Sequence, residues 1–146
     1  MMPHRANARL FESGDFISHA GLPLSWKLEC DAIHPDEWKA IAKMVMDYQD
    51  RPFYKAVGIP RGGLPFAAAM NEYSSGNEKD PIMICDDVFT TGTSMREFIA
   101  ENYPDWSAGQ GFRWVVFARQ PCNEHPNHVR ALFTMPKPIQ ERYRQK

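Results

Sequence analysis

A chain of 146 residues, 43% hydrophobic and 24% charged, is long enough for one core and too apolar to be disordered, so one domain over residues 1–146 is expected. A formal net charge of -1 and a pI near 6.5 argue against duplex nucleic acid as the main partner. No run approaches the roughly 18 apolar residues of a membrane span, the first residues lack the apolar stretch of a signal peptide, and three cysteines (Cys30, Cys85, Cys122) are an odd, sparse set, so free thiols in a reducing cytoplasm are expected.

Residues 1–33 carry only short apolar pieces, around Phe16-Ile17 and 26–28, and read as a loop or hairpin layer at the edge of the domain. Over 34–50 (HPDEWKAIAKMVMDYQD), Pro35 suits the first helical turn and Asp36 and Glu37 suit its positive dipole end. Trp38, Ile41, Val45 and Tyr48 recur at helical spacing, and Arg51-Pro52 is the expected stop. Residues 55–59 (KAVGI) form a short strand, PRGG a turn, and 64–73 (LPFAAAMNEY) a helix with almost no polar face, hence buried. A polar loop at 74–80 leads to a buried strand at 82–85 and an amphipathic helix at 94–103. Glycines at 109 and 111 precede a strand at 113–118 (RWVVFA), and a polar loop at 120–128 precedes a last strand at 129–134. Apolar strands alternating with helices imply an α/β fold: a small, mostly parallel sheet of about four to five strands flanked by helices.

The chemistry concentrates in residues 81–94, PIMICDDVFTTGTS. After a buried strand come two adjacent carboxylates, Asp86 and Asp87, then a hydroxyl-rich turn, Thr90, Thr91, Gly92, Thr93 and Ser94, opening a helix. Ligands of such sheets collect at the carboxyl ends of the strands. The turn offers backbone N–H groups, hydroxyls and a helix N-terminus to a phosphate, and Gly92 lets the backbone come close. Carboxylates are poor phosphate ligands but good acceptors for ribose hydroxyls, with a divalent ion as the alternative. Together these describe a ribose 5-phosphate site. The plainer reading is a capping box, Ser94 to Glu97, with Asp86-Asp87 as a strand-end turn. A Walker A loop and a GxGxxG are both absent.

CDDVFTTGTS resembles the signature of type I phosphoribosyltransferases, which bind phosphoribosyl diphosphate (PRPP). The resemblance implies that Asp86 and Asp87 hold the ribose hydroxyls and that Thr90, Thr91, Gly92, Thr93 and Ser94 hold the 5-phosphate. VGIPRGG at 57–63 resembles the family's diphosphate loop, which implies diphosphate contacts from Pro60, Arg61, Gly62 and Gly63 and an unusual backbone near 60–62; the plainer reading is a Gly-rich turn with a solvated arginine. FISHAG at 16–21 and FARQP at 117–121 are similar to base-side segments of orotate phosphoribosyltransferases, which implies base contacts from His19, Lys27, Phe117 and Arg119. His19 stands where that family has a lysine, and Ala118 where it has an acid. Those enzymes also carry a long mobile loop, bearing a lysine, between the diphosphate and PRPP loops. Here only about ten polar residues, 71–80, fill that interval, and Lys79 is its one basic residue.

The expected function is that of a pentosyltransferase of nucleotide metabolism, moving ribosyl 5-phosphate from PRPP to an orotate-like nucleobase with release of diphosphate. Asp86, Asp87 and Arg61 would carry the catalysis, and Mg2+ would enter with PRPP rather than on a protein site. The alternative is a non-catalytic module that binds PRPP or a nucleotide. The expected partners are small molecules, with a homodimer as a candidate assembly and neither nucleic acid nor membrane. Cys122, His125 and His128 have zinc-ligand types but lack an evident fourth ligand. A phosphohydrolase using Asp86 would want D-x-D, and position 88 is Val.

Overall fold

A computed structural model describes residues 9–17, 23–106, 111–119 and 129–135. The chain opens with an antiparallel hairpin, β1 (Phe11–Ile17) and β2 (Pro23–Leu28). A 3-10 turn at Cys30–Ala32 leads into α1 (Pro35–Met46). Then follow β3 (Ala56–Gly58), α2 (Leu64–Met70), β4 (Ile82–Phe89), α3 (Thr93–Asn102), β5 (Gly111–Ala118) and β6 (Arg130–Thr134). The last four strands form one fully parallel sheet in the order β3-β4-β5-β6. The α/β architecture and the mostly parallel sheet expected from the sequence are thus observed.

Each face of the sheet has its own apolar layer. On one, Trp38, Ala42 and Val45 of α1 and Phe66, Ala67 and Met70 of α2 pack with Met83, Cys85, Trp114 and Val116. The rings of Trp38 and Phe66 stack at 6.2 Å between centroids, joining the two helices. On the other, Met95 and Ile99 of α3 pack with Ile59, Ile84, Val115 and Ala118. Successive residues of β4 therefore alternate between layers, as the two-residue period of a strand requires.

Helix α1 starts as the sequence suggests, with Pro35 in its first turn. Its cap is His34, whose Nδ1 accepts from the Asp36 N–H at 3.1 Å while Glu37 accepts from the His34 N–H at 2.9 Å. It stops at Met46, short of Arg51-Pro52, and Tyr48 is exposed rather than part of the apolar stripe. The reason lies just beyond. Gln49 is buried, accepts from Trp114 Nε1 at 2.9 Å and donates from Nε2 to the Arg51 carbonyl at 2.9 Å, so the chain leaves the helix to satisfy a core indole. Residues 71–73 of the expected second helix form a separate 3-10 turn. There the Asn71 side chain accepts from the Ala56 N–H at 2.8 Å and donates to the Ala56 carbonyl at 2.9 Å, filling the open edge of β3 as a neighbouring strand would.

Strand β4 runs four residues past the expected end at 85, because β5 is long enough to pair Val88 with Phe117 and Phe89 with Ala118. Asp86 and Asp87 thus lie within a strand rather than on a turn after it. Among the described residues, no helix is long and apolar enough to cross a membrane.

Gln49→Ala removes the acceptor of a fully buried indole N–H. It is expected to lower the unfolding free energy by about 1–3 kcal/mol, read from urea midpoints with an unchanged denaturant slope.

Candidate functional site

The carboxyl end of β4 opens into a cavity of about 630 Å3. Its wall includes Asp86 and Asp87, the turn residues 90–94, Pro60 and Gly62 from the loop after β3, and Glu97, Phe98 and Glu101 of α3. The two loops singled out in the sequence therefore meet in one place, because β3 and β4 are adjacent and parallel.

Asp86 is 9% exposed. Burial first, then the charge of Asp87 and a hydrogen bond with its side chain, hold the Asp86 carboxyl well above the usual carboxylate range. Backbone donors partly offset the crowding: the Asp87 N–H donates to Asp86 Oδ1 and the Val88 N–H to Asp87 Oδ1, each at 2.8 Å. The Asp87 carboxyl lies over Gly62, so close that a Cβ there would overlap its oxygens. Gly62 is thus a close approach between the two loops. The peptide between Pro60 and Arg61 is cis, in the stretch where an unusual backbone was expected. Arg61 is exposed and outside the cavity wall. Gly63 donates its N–H to the Ile59 carbonyl at 2.9 Å, so that donor is used within the loop.

The turn opens directly onto the start of α3. Gly92, at φ +81°, is the N-cap of α3, and no side chain caps the helix. The capping box of the plainer reading is not formed, because the helix starts at Thr93 and encloses Ser94 in its first turn. The first N–H groups of the helix are left to a ligand or to water. Thr91 and Thr93 hydroxyls are paired at 2.8 Å. Arg96 brackets the loop, donating from Nη1 to the Thr91 carbonyl at 3.0 Å and from Nη2 to Thr93 Oγ1 at 3.3 Å. Sequence reasoning did not single out Arg96, although its place three residues after Thr93 on a helix was a usable signal.

No protein-family model matches the chain, and no curated protein matches it. Solved structures do. Leishmania donovani UMP synthase superposes with a TM-score of 0.67 at 17% identity, over 86% of this chain and 34% of that one. Orotate phosphoribosyltransferase from Aeropyrum pernix superposes with a TM-score of 0.62 at 20% identity, over 94% of each chain. The Mycobacterium tuberculosis enzyme of that name, solved with inorganic phosphate, gives 0.55 at 14% identity, over 84% of this chain and 86% of that one. The fold is that of the orotate phosphoribosyltransferases. The chain spans about a third of the first of these proteins and nearly all of the second.

On this orotate phosphoribosyltransferase fold, the described residues expected at the base, Lys27, Phe117 and Arg119, are not part of the cavity wall. Lys27 forms ion pairs with Glu12 and Glu29, both at 3.5 Å, and lies 4.9 Å from the centre of the Phe16 ring. Phe117 is buried and stacks on Phe133 at 5.6 Å. Arg119 lies flat on Trp26, 3.6 Å from the ring centre, and donates from Nη1 to the Trp26 carbonyl at 3.0 Å. It fastens the hairpin to the end of β5. His19 lies outside the described residues, as do Cys122, His125 and His128.

Cys30 was read only as a free thiol. It is buried against Asp87, and burial first, then the charge and hydrogen bond of Asp87, push its thiol up. Cys85 is likewise raised by burial and by Asp86, which suits core packing and not a nucleophile. Among the described residues, no three ligating side chains come together to hold a metal.

A raised Asp86 favours folding while the group is protonated. That contribution is complete below the unfolded-chain value of about 4 and is lost as pH rises toward the folded value. Asp86→Asn is therefore expected to melt higher than the wild type at neutral pH, by a margin that widens from about pH 5 to 8; melting curves across that range check it.

Proposed function

We propose that the cavity binds the ribosyl 5-phosphate group of PRPP and that the protein transfers it to a nucleobase, releasing diphosphate. The observation that carries this reading is one cavity with an uncapped helix N-terminus and its hydroxyl turn on one side and two carboxyls on the other. The turn and the first N–H groups of α3 match a phosphate. Asp86 and Asp87 match two ribose hydroxyls, which donate where a phosphate cannot. Gly62 and Pro60 line the same cavity beneath Asp87, and the exposed Arg61 beside them offers a bidentate donor to diphosphate. The fold, shared with proteins that include one solved with inorganic phosphate, supports the same reading.

Asp86 and Asp87 would orient the ribose so that its anomeric carbon faces both the departing diphosphate and the incoming base nitrogen. As the bond to diphosphate breaks, positive charge builds on the ring, and the carboxyls stabilise it. The hard oxygens of Asp86 and Asp87 fit magnesium, although two carboxyls alone make no cage, so the ion would be held mainly by the diphosphate and water. When bound, magnesium supplies charge neutralisation to the leaving group.

One observation favours a second reading, a module that binds PRPP without turnover. The interval 71–80 is short and is bonded to the edge of β3, so nothing in it covers the cavity. Diphosphate release from PRPP with magnesium, across a panel of bases that includes orotate, separates the two. Release that depends on a base supports transfer, binding without release supports the module, and absence of PRPP binding refutes both.

Asp87→Asn is expected to weaken PRPP binding about tenfold or more, a loss near 1.4 kcal/mol, with little change in melting temperature. Unchanged affinity with a lowered melting temperature would refute the assigned role.

A further inference from the structure

The geometry points to Arg96 as the positioning residue that turns the 90–94 loop into a set of donors aimed at a phosphate monoester. This rests on the reading of the cavity as a ribose 5-phosphate site, and adds a residue outside the signature. Arg96 is exposed, stands outside the cavity wall and makes no ion pair among the described residues. Its bonds go to the loop itself, to the Thr91 carbonyl and to Thr93 Oγ1.

Two consequences follow from elementary geometry. The Thr91–Gly92 peptide is trans, so its carbonyl and its N–H point in opposite directions. Arg96 holds the Thr91 carbonyl, and in doing so fixes the opposite direction of the Gly92 N–H in a loop that lines the cavity. The second concerns protons. Thr91 and Thr93 have one hydroxyl proton each, and their mutual bond uses one of them. Arg96 can only donate, and it fills an acceptor position on Thr93. Whichever hydroxyl donates within the pair, the other keeps a proton for the ligand. A phosphate oxygen, which only accepts, is the complement. The positive φ of Gly92 belongs to the same arrangement, since a Cβ there would meet Arg96 Nη1 at 3.0 Å and the Phe89 ring at 2.9 Å.

A guanidinium spans both acceptors at once, whereas a lysine ammonium keeps the charge without the fork. The test uses the full chain, ribose 5-phosphate as the probe, and two variants, Arg96→Ala and Arg96→Lys. Both are expected to bind at least tenfold more weakly than the wild type, with melting temperatures close to it because Arg96 is exposed. In the wild type, saturation with ribose 5-phosphate should shift the Gly92 amide proton resonance, and in both variants that shift should be largely lost even at saturation. Unchanged affinity in Arg96→Ala overturns the role. Full recovery in Arg96→Lys also overturns it, showing that Arg96 contributes charge alone. A wild type that does not bind ribose 5-phosphate overturns the site reading itself, and this inference with it.

Discussion

Two carboxyl groups on consecutive residues at the end of a buried strand cannot both ionise cheaply. Asp86 is almost fully shielded from water and Asp87 is its direct neighbour, so full charge on both would combine desolvation with like-charge repulsion. The structure relieves this in two ways. Each carboxyl accepts from the next backbone N–H along the strand, and burial with the neighbouring charge holds the Asp86 carboxyl well above the usual carboxylate range. Such a pair is poised for hydroxyl or cation ligands. A ribose diol can donate to it, and a cation would favour its ionised form. The same arrangement repels an anion, so in the proposed reading the phosphate goes to the turn beyond and not to the acids.

The carboxyls also dictate what surrounds them. Asp87 lies over residue 62, where only a glycine leaves room, so the loop after β3 can come under the loop after β4. Beneath, the Cys30 thiol meets Asp87, which ties the junction between the hairpin and α1 to the same group. On the far side of β4, the Arg119 N–H donates to the Phe89 carbonyl at 2.9 Å while its guanidinium covers Trp26. The hairpin is thereby fastened at two points next to the site. Asp87 thus lies where the loop of residues 60–63 and the base of the hairpin meet.

Much of this was legible in the sequence. The alternation of apolar strands and helices gave the parallel sheet, and D-D followed by T-T-G-T-S located the cavity, because motif, strand and helix agreed. What was not legible depended on contacts distant in sequence. The early stop of α1 comes from a hydrogen bond between Gln49 and Trp114, 65 positions apart. The length of β4 was set by its partner β5, which no local pattern reveals. The choice between a capping box and an open helix end turned on two residues of register, Gly92 instead of Ser94 as the N-cap. Arg119, matched to a base-binding arginine on a short segment, stacks instead on Trp26, 93 positions away in sequence.

The interval 71–80 sharpens the question of catalysis. It ends at Pro81, at the amino end of β4, while Asp86 lies four strand residues beyond Ile82, about 13 Å further on. A lid formed here would have to cover that distance and return, close to eight extended residues. Ser75 and Gly76 are already bonded to the carbonyls of Phe53 and Tyr54, and the Tyr54 N–H holds the Pro81 carbonyl at 2.7 Å. The few residues left between Gly76 and Pro81 are tied further by Ser75 to Asp80 and by Asn77 to Lys79. This segment cannot reach the acids without breaking the edge of β3. Exclusion of water during transfer would therefore fall to another element, and the hairpin anchored through Arg119 and Cys30 is the described part of the chain already fixed beside Asp87 and Phe89.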